Sequence, residues 1–330
     1  MKRFLTALCA LLMLLPATAG AAGAWLPYWD ASAALEEAGA FAPQLDRVCA
    51  FAASFDEKDR LTLPDEAASL LLDLQVTFAG TDTQVYLSVV NDRQTRSGAE
   101  GKSTALLRRL LSSDEAITRH IDDLIMLVDS TRVEALEIDY ENLGDDTALW
   151  QRFTLFIREL HAQLARDGIS LRVVLPWDAP KYATLPQGPE YSVMCYNLYG
   201  PHSGPGPKAD FAFLDEIASL YAALPGPVRM AFATGGFDWS AAGVESLTQQ
   251  QAETRLSRLG VTPTRDAASG ALTAEYSLDG AAHTLWYADS QTLLAWQERT
   301  ADFAGFDLFR LGGNSLNDLF STTITKENAP

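Results

Sequence analysis

Residues 133–143 read VEALEIDYENL, a run in which acidic side chains alternate with residues typical of a buried strand. Because side chains alternate across a β-strand, Glu137, Asp139 and Glu141 share one face. The opposite face is apolar and consists of Leu136, Ile138 and Tyr140. Unpaired carboxylates are costly to bury, so an acidic face on a core strand indicates a functional site. The alternative is a solvated edge strand whose polar face happens to be acidic.

Short apolar runs alternate with segments of helical period along the rest of the chain, which is typical of repeated βα units. The predicted strands are 24–29, 47–55, 84–90, 133–140, 170–177, 191–199, 228–237 and 305–312. Amphipathic helices are predicted at 104–128, 147–165, 211–224 and 291–303. Eight strands favour an α/β fold, the (β/α)8 TIM barrel, over a doubly wound open sheet. No Gly-x-Gly-x-x-Gly turn follows the first strand, which disfavours a dinucleotide-binding fold.

Residues 262–287 interrupt this rhythm. The alternating runs ALTAEY and HTLWY flank Asp279-Gly280, which predicts a β-hairpin inserted between strands seven and eight of the barrel. Such an insertion either forms a wall of a cleft or decorates the surface. In both cases residues 23–330 are expected to form one domain, with its chemistry at the C-terminal rim of the barrel, where Glu141 falls.

The N-terminus, MKRFLTALCALLMLLPATAGAAGAW, has two cations, an apolar stretch and small residues that offer cleavage points. We interpret residues 1–22 as a signal peptide cut between Ala19 and Ala22, and expect a secreted or cell-envelope protein without a stable membrane span after cleavage. A retained anchor is the alternative. The formal charge is −18, and it becomes about −20 once Lys2 and Arg3 are removed. So acidic a surface argues against nucleic acid as a partner.

Two cysteines remain in the mature chain, Cys49 and Cys195, each in an apolar run. Two buried free thiols and one disulfide are equally compatible with the sequence. The four histidines are scattered, without metal-ligand spacing. We therefore expect no structural zinc and no cofactor.

The acidic strand resembles a known signature. EALEIDYE (134–141) is similar to the Asp-Gly-x-Asp-x-Asp-x-Glu motif of the family 18 glycoside hydrolases, with Glu141 matching the catalytic acid and Asp139 its partner. Glu134 and Glu137 stand where the family usually has Asp, and Ala135 where it has Gly. Later segments resemble the family in order: MCYNLYGPHSGPGP (194–207), ATGGFDW (233–239), HTLWYAD (283–289) and GFDLFRLGG (305–313).

The resemblance is closest to the bacterial branch with spore-cortex and cell-wall N-acetylglucosaminidases. Outside the acidic strand the chain departs from the family pattern as well. Asn197 replaces the Asp of the sixth-strand motif, Phe309 replaces a Trp that floors the sugar site, and SVVN (88–91) replaces Ser-x-Gly-Gly. The departures concern the fit of the sugar more than the chemistry.

The resemblance implies substrate-assisted retaining hydrolysis of glycans containing β-linked N-acetylglucosamine. Glu141 would protonate the glycosidic oxygen and later activate water, and Asp139 would hold the acetamide N–H. Tyr196 would bind the acetamide oxygen, supported by Asn197, while Glu137 would share a proton with Asp139.

Further aromatic residues are candidates for sugar stacking: Trp286, Tyr28 and Trp29. Peptidoglycan, chitin and an N-linked core all remain open as substrates. A carbohydrate-binding barrel without turnover, and an unrelated barrel hydrolase with two opposed carboxylates, are the alternative functions.

Overall fold

Parallel strands that close on themselves form the centre of the molecule. The computed structural model describes residues 22–224 and 226–320, so the predicted signal peptide lies outside the described residues apart from Ala22. The strands are β1 (Ala22–Pro27), β2 (Leu45–Phe55), β3 (Leu61–Thr62), β4 (Gln84–Thr95), β5 (Gly98–Glu100), β6 (Ala135–Asp139), β7 (Ser170–Pro176), β8 (Glu190–Met194), β9 (Val228–Ala233), β10 (Gly235–Ser240), β11 (Gly243–Leu247), β12 (Thr264–Arg265), β13 (Leu272–Leu278), β14 (Ala281–Ala288) and β15 (Phe306–Phe309).

The barrel strands follow the order β1, β2, β4, β6, β7, β8, β9 and β15, and each neighbouring pair is parallel. The ring closes where β15 pairs with β1, with Ala22 opposite Phe306 and Ala24 opposite Leu308. This confirms the predicted (β/α)8 barrel. The outward faces of the strands pack on the helices in one large apolar core, which contains Leu136 and Ile138 of β6.

The helices are α1 (Ala31–Ala40), α2 (Asp65–Thr77), α3 (Thr104–Leu110), α4 (Asp114–Thr131), α5 (Thr147–Leu164), α6 (Phe211–Tyr221), α7 (Gln249–Leu259) and α8 (Ser290–Arg299). Side-chain caps fix the starts of α3 to α8, where Ser, Thr or Asp accepts a backbone N–H of the first turn. Within the described segment 177–189, only a 3-10 turn, Ala179–Lys181, connects β7 to β8. None of the described helices combines the length and apolarity that a membrane crossing needs.

One predicted helix, 104–128, is wrong in its extent, because the segment forms two helices. Ser113 accepts a hydrogen bond from the N–H of Ala116 and starts α4 as a separate helix. The helical period continues across the break, so the apolar pattern alone does not reveal it.

The insertion is larger than the predicted 262–287. It spans β10 to β14, and its five strands form an antiparallel sheet in the order β11, β10, β14, β13, β12, with α7 packed on one face. β13 and β14 are joined at Asp279-Gly280, where both residues have positive φ, 52° and 81°, as a tight two-residue turn requires.

The sheet begins at Gly235, directly after β9, in a segment that the sequence had assigned to strand seven. A Cβ at Gly235 would lie 2.3 Å from the Leu247 oxygen, and one at Gly236 would lie 1.9 Å from the Trp286 oxygen. Only glycine fits where the chain passes from the barrel into the crowded sheet.

Candidate active site

The two faces of β6 have opposite environments, as the alternation predicted. Leu136 and Ile138 are buried against the helices, whereas Glu137 and Asp139 point into the barrel interior. Glu141 follows the end of the strand and lies at the C-terminal rim. The acidic face is therefore not an exposed edge.

Glu137 lies deep in the barrel and is fully buried. Arg172 Nε donates to its Oε2 at 2.5 Å, and Trp25 Nε1 donates to its Oε1 at 2.6 Å. Cys49 Sγ donates to Oε1 as well, at 3.4 Å. These three donors occupy the carboxylate, and none of it is open to solvent. Its proton sharing with Asp139 and its contact with substrate stay predictions.

The ion pair of Glu137 belongs to a larger buried network below the rim. The guanidinium of Arg172 lies over the rings of Trp25 and Tyr86, 5.0 and 4.6 Å from their centroids, and its Nη1 is 3.6 Å from Asp307 Oδ1. Asp307 also accepts from Arg229 Nε at 2.9 Å.

Burial acts to raise the pKa of Asp307, but the positive charges of Arg229 and Arg172 outweigh it and lower the pKa below its ordinary value. A hydrogen bond from Ser192 Oγ at 2.6 Å acts in the same direction. The lower interior is thus a structural network in which buried cations and anions face each other, although Arg172 Nη1 and Nη2 have no hydrogen-bond partner in the described structure.

Asp139 has a different environment although it is only two residues away. It is 8% exposed, and its Oδ1 is buried without a hydrogen-bond partner in the described structure. Burial, followed by the charges of Glu141 and Glu137, raises the pKa of Asp139 well above its ordinary value, and Lys102 opposes this only in part. The carboxyl is therefore inclined to hold a proton, and one oxygen is free for a ligand.

Glu141 is partly exposed and firmly placed. Its N–H donates to Asn91 Oδ1 at 2.9 Å, and Asn91 Nδ2 donates to its carbonyl oxygen at 3.0 Å. Its side chain forms an ion pair with Lys102, Nζ to Oε1 at 2.5 Å. The side chain of Asn91 on β4 thus fixes the backbone of Glu141 at the rim, and the Lys102 ammonium occupies one oxygen of its carboxylate.

An aromatic floor faces the two carboxyls from the opposite side of the barrel. Phe309, at the end of β15, stacks on Tyr196 with ring centroids 6.0 Å apart, and it contacts Trp25 and Phe51 edge to face. Burial raises the pKa of the Tyr196 phenol well above its ordinary value, and the charges of Asp139 and Glu141 add to this effect. The phenol therefore stays protonated and can donate a hydrogen bond into the site.

The remaining predicted residues lie around the rim. Trp29 is 56% exposed and contacts Phe51, with ring centroids 5.9 Å apart, whereas Tyr28 packs against the outer core. Trp286 lies on β14 opposite Phe237 of β10, on the face of the insertion sheet away from α7. Asn197 is exposed with a left-handed φ of 65°. Their contact with a glycan stays a prediction.

Both cysteines are buried free thiols, which settles the alternative left open by the sequence. Burial and the charge of Glu137 raise the pKa of Cys49, so this thiol stays protonated and acts as a donor. Among the described residues, no group of three histidine, cysteine or carboxylate side chains could hold a metal ion.

A cavity of about 690 Å³ lies beside the rim, between α7 and the loops that follow β1 and β15. Asp30, Gln250 and Gly313 are among its lining residues, and none of the acidic site residues reaches it. It has no aromatic lining residue, so it offers no platform for a sugar ring.

Sequence reasoning missed Arg172, Lys102 and Phe51. Arg172 carried a signal, because it is the only charged residue of the apolar run SLRVVLPW, just as Glu137 is a charged residue in its own strand. The register then makes the two direct neighbours, Glu137 opposite Arg172. Lys102 lies in a loop and carried no comparable signal.

Solved structures similar to this one include chitinases and spore cortex-lytic enzymes. The chain is similar to a chitinase from Chromobacterium violaceum ATCC 12472, with a TM-score of 0.73 and 20% identity over 94% of this chain and 99% of that one. It is similar to the class V chitinase from Nicotiana tobaccum, with a TM-score of 0.74 and 14% identity over 94% and 99%. For the spore cortex-lytic enzyme SleL of Bacillus cereus the TM-score is 0.74, with 15% identity over 92% and 74%.

No family model matches the sequence, and a search of curated proteins finds no match. At these identities the likeness establishes the fold alone, and it confirms the predicted chitinase-like barrel fold. What the barrel does has to be argued from its site.

Proposed function

We propose that the protein is a glycoside hydrolase that cleaves glycans containing β-linked N-acetylglucosamine, with retention of configuration and with the acetamido group of the substrate as nucleophile. The observation that carries this proposal is the contrast within one strand end. Asp139 is buried, inclined to hold a proton and open at Oδ1, while Glu141 is held at the accessible rim. An aromatic floor with a phenol donor lies opposite.

In the proposed reaction Glu141 gives its proton to the glycosidic oxygen as the bond to the anomeric carbon breaks. The acetamide oxygen bonds to that carbon and forms a cyclic oxazolinium ion. Asp139 accepts the acetamide N–H, and Tyr196 donates to the acetamide oxygen. A water molecule then attacks the anomeric carbon as the bond from that carbon to the acetamide oxygen breaks, and it gives a proton to Glu141, which restores the acid.

The comparisons support this class of substrate. Similar structures are named as chitinases and as spore cortex-lytic enzymes, and one of them is a class V chitinase in complex with NAG4. The two carboxyls also lie at the C-terminal ends of the strands, where barrel enzymes carry out their chemistry.

The test is Glu141→Gln, assayed by chromophore release from an N-acetylchitooligosaccharide glycoside. Loss of a general acid is expected to lower turnover by about 10²- to 10⁴-fold without loss of folding. Glu134→Gln is the matched control, because Glu134 is exposed at the other end of the same strand, and it should leave turnover unchanged. A glycoside without the 2-acetamido group should not be cleaved, and its cleavage would favour the mechanism with two opposed carboxylates.

A second candidate function is glycan binding without turnover. The ion pair of Lys102 with Glu141 favours it, because an oxygen that faces an ammonium is not free to donate a proton. Calorimetry with chitotetraose that gives saturable binding, together with no product by mass spectrometry after long incubation, would establish the binder.

We also propose that the protein is exported after cleavage between Ala19 and Ala22. The basis is the N-terminal pattern of two cations, an apolar stretch and small residues. The intact mass of protein recovered from the envelope or medium of an expressing cell would test this, and a mass that retains residues 1–19 would overturn it.

A further inference from the structure

Glu141 is the carboxyl that transfers the proton in the proposed function. Among the residues that the structure describes, Lys102 is the one charged group in direct contact with it. Its Nζ is 2.5 Å from Glu141 Oε1, and its side chain is 44% exposed, so the ammonium is reachable from the cleft. The chain has 43 acidic and only 25 basic residues, so a cation at this point is not explained by the overall composition.

The loop holds Lys102 in place at a conformational cost. Its φ is 51°, in the left-handed region that side chains disfavour. Its N–H donates to Asp92 Oδ1 at 2.7 Å, and Asn142 Nδ2 donates to its carbonyl oxygen at 3.3 Å. An unfavourable backbone conformation that two hydrogen bonds maintain indicates that the position of this side chain matters.

The other charged groups around Lys102 are acidic, and each has its own constraint. Asp139 on β6 is buried with a raised pKa, Asp92 on β4 is bonded to the Lys102 backbone, and Glu100 on β5 pairs with Arg93. Only Glu141 contacts the ammonium directly. One oxygen of the proposed general acid is therefore paired with the Lys102 ammonium. A bound substrate has either to displace this ammonium or to offer it another anion.

The chemistry of the glycan identifies an anion that could pair with the Lys102 ammonium. In a β-1,4-linked glycan the oxygen that Glu141 would protonate is O4 of the leaving sugar, and C3 is the neighbouring ring carbon. A carboxylate carried on an ether at C3 therefore lies beside the scissile bond, on the sugar next to Glu141. An ammonium that binds a carboxylate there forms a charge-assisted hydrogen bond, which is stronger than one to a neutral hydroxyl.

We propose that Lys102 recognises a carboxylate attached at C3 of the leaving sugar, so that the preferred substrate is an acidic N-acetylhexosamine glycan with a lactyl ether and not neutral chitin. The substrate carboxylate takes the place of Glu141 at the ammonium, and the released Glu141 carboxylate takes up a proton from solvent, which it can then give to O4. This inference rests on the proposed function, and it makes Lys102 a specificity-determining residue.

The experiment compares three probes: a peptidoglycan tetrasaccharide with its free lactyl carboxylate, the same fragment with the carboxylate reduced to the alcohol, and chitotetraose. For the wild-type protein we expect kcat/KM for the acidic fragment to exceed that for the reduced fragment by about tenfold or more. Lys102→Met should bring this ratio close to one while turnover of the reduced fragment persists. Lys102→Arg should keep much of the preference because it keeps the charge.

Lys181→Met is the matched control, since Lys181 is an exposed lysine in an ion pair with Glu216. It should retain the wild-type ratio. A merely structural role of Lys102 would change kcat/KM for both fragments alike, so an unchanged ratio in Lys102→Met overturns the proposal, as does a wild-type ratio near one.

If the wild-type protein cleaves none of the probes, the proposed function fails and the recognition is still tested by affinity. Calorimetry should then show tighter binding of the acidic fragment than of the reduced one to wild type, and equal binding to Lys102→Met. Equal affinities for wild type would overturn the recognition of the carboxylate.

Discussion

The lower interior of the barrel and its upper rim each contain a buried carboxyl group, but the two groups have opposite roles. Glu137 and Asp139 are two residues apart on one strand and point the same way. Glu137 accepts hydrogen bonds from Arg172, Trp25 and Cys49, so its charge is matched in place. Asp139 has a buried oxygen without a partner and a raised pKa.

This difference shows that the depth of a buried carboxyl in the barrel determines its partners. Those partners determine whether the carboxyl stabilises the fold or remains available to a ligand. In the lower interior each buried cation, Arg172 or Arg229, lies against a buried anion, so the charges are balanced within the protein. Above, the unmet hydrogen-bonding capacity of Asp139 is available to a substrate. The lower region stabilises the barrel, and the upper region is where binding energy can be used for chemistry.

The largest expected effect comes from breaking the lower network. Arg172→Met leaves Glu137 buried without its counter-charge, which should lower the free energy of unfolding by about 3–5 kcal/mol in urea titrations. Arg299→Met removes an exposed ion pair with Asp215 and should cost no more than about 1 kcal/mol. Adding Glu137→Gln to Arg172→Met should recover part of the loss, and equal stability of the two single variants would contradict the structural role of the network.

At the rim, removal of a buried charge should stabilise the protein at high pH, whereas removal of Arg172 in the lower network destabilises it. The pKa of Asp139 in the folded state is raised above its ordinary value of 3.8. At pH values between the unfolded-state pKa and the folded-state pKa, the folded protein holds a proton that the unfolded chain releases. The free energy of unfolding therefore falls as pH rises between these two pKa values. Asp139→Asn removes this dependence. Its melting temperature relative to wild type should therefore increase from about pH 4 to about pH 8, while turnover falls. A constant difference across this range would mean that Asp139 is already ionised in the folded protein.

The smallest effect on stability is expected at the outermost ring. Trp29 is 56% exposed, so Trp29→Ala should change the free energy of unfolding by no more than about 0.5 kcal/mol. If Trp29 stacks on a sugar, KM should rise by roughly 3- to 10-fold with kcat little changed. Leu72→Ala, at a residue 60% exposed on α2, is the control and should leave KM unchanged. An unchanged KM in Trp29→Ala would remove this ring from the binding surface.

Local patterns in the sequence predicted the barrel because each strand carries its own signal of length and apolarity. The alternation in VEALEIDYENL likewise assigned the two faces of β6 correctly. The start of the insertion was missed because Gly235 and Gly236 continue an apolar run, and their role depends on close contact with Leu247 and Trp286. Those contacts join residues far apart in the chain.

The partners of Glu137 were not predicted for a similar reason. Its partner Arg172 is set by the register between β6 and β7, and its other donors come from β1 and β2. A lone charge in an apolar strand predicts that a buried partner exists, but not which residue it is. Lys102 reaches Glu141 through a loop conformation that no periodicity encodes.

The pairing of β1 with β15 has a consequence for the order in which the chain folds. The first and last barrel strands are neighbours, and Gly23 of β1 has no side chain where Asp307 of β15 enters, since a Cβ there would lie 1.9 Å from Asp307 Oδ1. Asp307 in turn neutralises Arg229 and Arg172. A nascent chain that ends before residue 306 lacks Asp307, one of the anions that lie against Arg229 and Arg172 in the folded barrel. We therefore expect the barrel to close stably only after its C-terminal strand has been synthesised.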